Sequence, residues 1–409
     1  MHVSELFDEE LLRSHVASGL VSATRNPDDD LTIYNYTPQA QYSRAWDDVT
    51  RNCRGLIVDD DGEIVARPFP KFFNYGETDL YDEEITPDTE VTAYDKLDGS
   101  LGIVYWDKKG QVKVATRGSF TSVQAEHASE LIKDIMVPDF NNITMLVEII
   151  YPDNQIVLDY HGKDDLFLLG GIHIPSGDFM SPVDVFTEIR GVYPHGGFRY
   201  LAQDYEVIKT VQDALDHLNR NNREGFVLHT GQGTMVKVKQ DDYLAMHKAV
   251  FQTSKRTLWY AYAYDMLEKT NRPFEEVATK RIKAHLQDIK DTQGTSYFLE
   301  SLLPLLPVNL RDSAESTVSG FQDETKKKIT EVIDFLESSD FRQSDRREIY
   351  EASKDALGQG LAGIATDVVT SDSDERRDAG FDRLVLAVVE SIMPKKGERL
   401  TEALNEEDE

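Results

Sequence analysis

The chain has 409 residues, of which 40% are hydrophobic, and carries a formal net charge of −30. That length accommodates two or three packed domains, and the charge argues against a general nucleic-acid binder, which neutralises phosphates with a basic surface. The single cysteine, Cys53, excludes an internal disulfide and a cysteine-held zinc, so any metal must rest on oxygen ligands, with histidine a poorer candidate.

No apolar run approaches the length that spans a bilayer, and Met1-His2-Val3-Ser4-Glu5 lacks the basic and apolar parts of a signal peptide. A cytoplasmic location with no membrane association is therefore expected. Along residues 50–250 short β-prone runs alternate with tight turns. Asn52-Cys53-Arg54 leads into the run Gly55-Leu56-Ile57-Val58, and the turn Asp60-Asp61-Gly62 returns the chain through Glu63-Ile64-Val65-Ala66 as a first hairpin. Arg54 thus precedes a strand, where its fork of donors suits a phosphate or a carboxylate, although a structural ion pair satisfies it equally. Pro70 to Glu77 then combines Lys71, Phe72, Phe73, an amide and a carboxylate within eight residues.

Tyr94-Asp95-Lys96-Leu97-Asp98-Gly99-Ser100 places one lysine at a turn between the β-prone runs Val91–Tyr94 and Leu101–Trp106. A protonated lysine attacks nothing, so a nucleophilic role for Lys96 requires cationic neighbours or a metal ion to lower its pKa. Gly99 permits close backbone approach to a ligand. Taken alone, the segment is equally compatible with a β-turn bearing a solvated lysine. A second hairpin follows, from Leu101–Trp106 through the turn 107–110 to Gln111–Arg117, and then a helix over Ser122–Ile135.

Glu148 interrupts the apolar run Met145–Ile150, and Glu224 opens a third hairpin, Glu224–Thr230 with Met235–Lys239, after a helix over Val211–Leu218. A carboxylate in such a context needs a cation, a metal or a hydroxyl, and magnesium is satisfied by carboxylates together with phosphate oxygens and water. Lys237 and Lys239 flank Val238, so the strand period of two sends both amines to one face while Val236 and Val238 face the core. Beyond about residue 243 the period becomes helical: Ile329, Val332, Ile333 and Leu336, and again Phe381, Leu384, Val385 and Val388, fall at i, i+3, i+4 and i+7. Thr370–Asp378 reads as an inter-helix loop. The expected fold class is α+β: a domain of antiparallel sheets and helices over 1–245, an all-helical domain over 246–393, and a disordered tail over 394–409.

Taken in order, Lys96-Leu97-Asp98-Gly99, Glu148, Glu224-Gly225-Phe226-Val227 and Lys237-Val238-Lys239 resemble motifs I, III, IV and V of the covalent nucleotidyltransferases, the superfamily of ATP-dependent ligases and capping enzymes. Tyr34-Asn35-Tyr36-Thr37, Cys53-Arg54-Gly55-Leu56-Ile57 and Lys71-Phe72-Phe73-Asn74 are similar, within it, to the phage RNA ligase 1 family. The likeness runs over roughly residues 30–250. It implies a nucleotidyltransferase domain in which Lys96 is the adenylylated nucleophile and Gly99 lies beside the nucleotide. Arg54, Lys71, Lys237 and Lys239 would contact phosphates, the last two serving the triphosphate as part of the catalytic set. Glu148 would hold the ribose and share metal binding with Glu224, and Gly225, Tyr36, Phe73 and Tyr243 would line the nucleotide site. Thr116-Arg117-Gly118-Ser119 departs from the pattern by presenting Arg117 where the family often has lysine, which keeps charge but changes geometry.

The resemblance further implies ATP and Mg2+, with Mn2+ a substitute, and as partner a single-stranded or broken-loop RNA with 5′-phosphate and 3′-hydroxyl ends, as in tRNA repair by a phage enzyme in its host's cytoplasm. A monomer is expected. Positive charge must then be confined to one groove of an otherwise acidic surface. Alternatives are a capping-type guanylyltransferase, a DNA ligase, or an inert module that binds RNA ends. Capping enzymes and DNA ligases would continue into an OB barrel, whose strand series is not seen after residue 250.

Overall fold

Alternation decides where the sheet residues go. In Met235–Lys239, Val236 and Val238 are buried against Phe226, Leu228 and Ala93, while Lys237 and Lys239 point to the opposite face. The computed structural model describes the chain except for residues 78–80, 82–83, 219, 221, 307, 397, 399 and 401–409. It divides into two compact units, Met1–Ala245 and a second that opens at Met246.

The strands of the first unit are, in chain order, β1 (Val21–Arg25), β2 (Leu31–Tyr36), β3 (Arg54–Asp59), β4 (Ile64–Ala66), β5 (Phe73–Asn74), β6 (Val91–Lys96), β7 (Ser100–Trp106), β8 (Val112–Ala115), β9 (Ile143–Ile150), β10 (Asp165–His173), β11 (Phe179–Met180), β12 (Tyr200–Leu201), β13 (Gly225–Thr230) and β14 (Met235–Lys239). They form three sheets with orders β1-β2-β3-β4, β11-β10-β9-β7-β8 with β12 on β10, and β5-β14-β13-β6. Pairing is antiparallel except for β10 with β12 and β14 with β5. The three expected hairpins are β3/β4, β7/β8 and β13/β14. Helices Val123–Lys133 and Val211–Asp216 stand where periodicity placed them, each started by a hydroxyl cap, Ser122 or Thr210.

The turn expected between the two β-prone runs joins different sheets, because β6 belongs to the β13/β14 sheet whereas β7 pairs with β9 in another. The segment crosses between two sheets, and both supply walls around the lysine.

The second unit is helical; among the described residues after Met246 there is no strand. Its core gathers Leu258, Trp259, Ile282, Leu386 and Val389, with the Trp259 indole donating to the Val389 carbonyl at 2.9 Å. Val332, Ala365 and Leu384 form a smaller cluster, so both helical stripes face inward. The loop expected over Thr370–Asp378 is shorter, because Ser373 caps a helix that begins at Asp374. Much of the tail expected over 394–409 lies outside the described residues. Within it, Glu398 accepts a hydrogen bond from the Lys255 amide at 3.3 Å. No helix among the described residues is long and apolar enough to cross a membrane.

Candidate active site

The end of β6 delivers Lys96 next to the start of β13. Register pairs Gly225 with Lys96 on one side and with Lys239 on the other, which brings Glu224 between two lysines. Glu224 is 1% exposed. Its Oε2 stands 2.8 Å from Lys96 Nζ and its Oε1 3.0 Å from Lys239 Nζ. The first contact is an ion pair whose geometry falls short of a hydrogen bond. Burial would drive the Lys96 ammonium down, but the Glu224 carboxylate, helped by Glu148 and Asp98, outweighs it and holds the pKa above the usual lysine value. The lysine expected to be acidified is therefore held as an ammonium in the ligand-free chain. The same pairing keeps Glu224 below the ordinary carboxylate range despite its burial.

Glu148 lies in mid-strand on β9, opposite Leu101 of β7 and Phe167 of β10, and accepts the Gly99 amide at 3.0 Å. What crowds Gly99 is the protein itself rather than open ligand space: a Cβ there would sit 2.6 Å from the Ile149 carbonyl oxygen and 3.1 Å from Glu148 Cγ. Asp98 pins the same crossing from behind. Its carboxylate accepts the Val157 and Leu158 amides at 2.9 and 2.8 Å and the Tyr243 hydroxyl at 2.7 Å. Burial, with Glu224 close by, raises its pKa. The Asp98 amide donates to Tyr160 at 2.8 Å. A recess beside this crossing is lined by Asp98, Ile150, Asn154, Leu158, Tyr160 and Lys163.

Cations gather on the other side of Lys96. Lys71 Nζ lies 5.3 Å from the ring centroids of Tyr36, Trp46 and Phe73 alike, an aromatic cage around an ammonium. Arg54 stacks at 5.4 Å on Phe72, whose ring also has Lys237 Nζ at 5.9 Å, and Arg54 Nη1 is buried without a hydrogen-bond partner. Arg117 Nη1 donates to the Tyr36 hydroxyl at 3.1 Å. Burial and the nearby charges of Lys96, Lys239, Lys71 and Arg54 push Lys237 down to about 7. Burial lowers Lys71 and Arg54 as well. Burial would raise the Tyr36 phenol, but Arg117, Arg54 and Lys71 together lower it. A concentration of half-buried, mutually repelling cations is a site shaped for a polyanion.

Every residue singled out for this site thus lies in the first unit, around the β6 end. Two contributors were not: Trp46, and Asp98 as a structural pin. Trp46 follows an exposed stretch with no motif of its own, so nothing in the sequence marked it. Among the described residues no group of three or more His, Cys, Asp or Glu side chains could hold a metal unaided. Glu148 and Glu224 supply hard oxygen donors, and that set fits magnesium, which takes one or two carboxylates and completes its shell with phosphates and water.

Residues 52–249 match the family model described as RNA ligase. The chain is 27% identical over 147 residues to RNA ligase 1 of Bacteriophage TS2126, covering 32% of this chain and 37% of that protein. It is 29% identical over 125 residues to a putative RNA ligase of Thermovibrio ammonificans, covering 28% of this chain and 32% of that one. The matches thus span about a third of the length of these curated relatives. Among solved structures, a putative ATP-dependent DNA ligase from Aquifex aeolicus superposes with a TM-score of 0.42 at 13% identity, covering 73% of this chain and 79% of that one. The stretch that matches the RNA ligase family model, residues 52–249, is the one that carries the lysine and the carboxylates just described.

Proposed function

We propose that the chain is an ATP-dependent RNA ligase that joins 5′-phosphate and 3′-hydroxyl RNA ends through lysyl-AMP and RNA-adenylate intermediates. The observation that carries this reading is the Lys96–Glu224–Lys239 ion triad beside the half-buried cations Lys71, Arg54 and Lys237. In the first step the Lys96 ammonium gives up a proton to solvent once its pairing with Glu224 is loosened, and its nitrogen forms a bond to the α-phosphorus as the bond from that phosphorus to the pyrophosphate oxygen breaks. Lys237, Lys239, Lys71 and Arg54 offset the charge of the triphosphate, and Arg117 with Tyr36 borders the same pocket. The recess beside Asp98 would take the adenosine, with Glu148 toward the ribose. A magnesium ion, or manganese in its place, would be held by Glu224 and Glu148 and would supply charge neutralisation on the phosphates.

AMP then passes from Lys96 to an RNA 5′-phosphate: the P–N bond breaks, the amine is reprotonated, and a pyrophosphate linkage forms. Finally the RNA 3′-hydroxyl displaces AMP to close a phosphodiester. In this reading residues 1–245 are the nucleotidyltransferase domain and 246–393 a helical module that helps choose the RNA, acting as a monomer in a host cytoplasm on single strands or broken tRNA loops. The deciding experiment incubates the protein with ATP labelled at the α-phosphate and maps the labelled peptide. Covalent label on Lys96, lost in Lys96→Ala, supports the assignment. Preference for GTP would turn the reading toward a guanylyltransferase, nick-sealing confined to DNA toward a DNA ligase, and absence of any adduct toward an inert end-binding module.

A further inference from the structure

We infer that Arg220 is a positioning residue for adenylylation: from the face of the sheet opposite the nucleophile its guanidinium aligns Lys96 and Glu224 through their chain neighbours Asp95 and Gly225, while its backbone amide ties in Gln240, the neighbour of Lys239. The inference rests on the function proposed above and assigns Arg220 a role within it.

Strand alternation sets the geometry. Lys96 points toward Glu224, so Asp95 points to the back of the sheet, where register places it opposite Phe226. There Arg220 lies across the Phe226 ring at 3.9 Å and the Tyr205 ring at 4.8 Å. Its Nη1 donates to Asp95 Oδ1 at 2.9 Å and its Nη2 to the Gly225 carbonyl at 3.0 Å. Its own amide donates to Gln240 Oε1 at 2.6 Å, and the Gln240 amide donates to the Glu224 carbonyl at 2.9 Å. Asp95 is the residue before Lys96, Gly225 the residue after Glu224, and Gln240 the residue after Lys239. Each arm of the clasp therefore ends one residue from a member of the triad.

Asp95 is 5% exposed and takes a further hydrogen bond from the Tyr205 hydroxyl at 3.0 Å, with Arg223 Nε 3.6 Å from its other oxygen. A buried ion pair is a weak source of net stability, because desolvation offsets most of its attraction. What a planar fork does supply is direction: two in-plane donors joined to two strands fix their relative offset, which a lysine at the same position cannot do. The reacting nitrogen must be placed to a fraction of an ångström for in-line attack, and about 1 Å of misplacement costs on the order of 100-fold.

The test uses the full chain, with Arg220→Lys and Arg220→Gln compared in single-turnover formation of lysyl-AMP, alongside thermal melts and ATP binding. Arg220→Lys is expected to remain folded and to form the adduct about 10- to 100-fold more slowly, with ATP affinity changed less than about threefold, because the triphosphate cations are untouched. Adding Asp95→Asn to Arg220→Lys should cost little more, since both changes open one clasp. Folded variants that label at the wild-type rate overturn the inference, as does a loss in amplitude with the surviving fraction reacting at full rate, the mark of a purely structural role. A wild-type protein that never labels Lys96 refutes the ligase reading itself, a result distinct from either of these.

Discussion

Lys96 and Glu224 occupy adjoining strands with Nζ and Oε2 2.8 Å apart, so the candidate nucleophile rests as one half of a buried ion pair. Removing the carboxylate has opposite consequences for the two properties it governs. In Glu224→Gln the lysine loses the partner that holds its pKa up, and burial then drives that pKa down. Amine acylation of Lys96 followed against pH should begin at lower pH in the variant, while the fold weakens by about 3 kcal/mol because two buried ammoniums lose their counterion. For the wild type the signs are fixed by linkage. The raised Lys96 pKa contributes stability below the ordinary lysine pKa that is lost as pH rises through the folded value, and the depressed Glu224 pKa contributes stability above the ordinary carboxylate pKa that is lost on acidification through its folded value. An acylation profile unmoved by Glu224→Gln would refute the coupling.

Lys237 behaves in the opposite way. With its pKa near 7 it is largely neutral at pH 8 in the free protein, and a bound triphosphate restores the charge. ATP binding at pH 8 should take up close to one proton, and uptake should vanish near pH 5.5. Calorimetry in buffers of different ionisation enthalpy measures this directly, and Lys237→Met should abolish it. Because the unfolded lysine titrates higher, this group makes the fold more stable as pH rises from about 7 toward the ordinary lysine value.

The course of β13 and β14 was legible because strand alternation is a local property: Val236 and Val238 could face only the core, which left Lys237 and Lys239 on the other face. Glu148 and Glu224 were legible as charge set in β-prone runs, and Lys96 as a lysine at a turn between two such runs. The crossing from one sheet to another at Lys96–Gly99 was not, because its residues look like an ordinary turn and only long-range pairing of β6 with β13 and β7 with β9 separates the two cases. Trp46 and Arg220 were hidden for the same reason. Each acts on partners more than twenty residues away in sequence, Trp46 on Phe73 and Lys71, Arg220 on Asp95, and no spacing rule reports such contacts. Lys96 was expected to be acidified by cations or a metal ion, whereas tertiary structure gives it three carboxylate neighbours, Glu224, Glu148 and Asp98, which reverses the sign.

Gly99 tests the crossing. A Cβ at that position would meet the Ile149 carbonyl at 2.6 Å, and a backbone oxygen in a sheet cannot move aside as a side chain does. Gly99→Ala should destabilise the first unit by about 1–3 kcal/mol through overpacking. It should also slow lysyl-AMP formation, because the shift moves the amide that holds Glu148. Urea unfolding read beside the labelling rate checks both effects, and a variant with wild-type stability would show that the crossing is slack.

Trp46 tests the cage. Three rings stand at one distance, 5.3 Å, from Lys71 Nζ, and the tryptophan has the strongest quadrupole of the three. It also packs edge-on against both of the others, with ring centroids 5.1 Å from Tyr36 and 5.6 Å from Phe73, so it sets their positions as well as the lysine's. Trp46→Ala should therefore release the ammonium to swing and weaken ATP binding about 5- to 30-fold, the equivalent of about 1–2 kcal/mol. Trp46→Phe, which keeps a ring, should recover most of that loss. Equal affinity in Trp46→Ala and wild type would mean that Lys71 is held by its own strand contacts and that the three rings are only core.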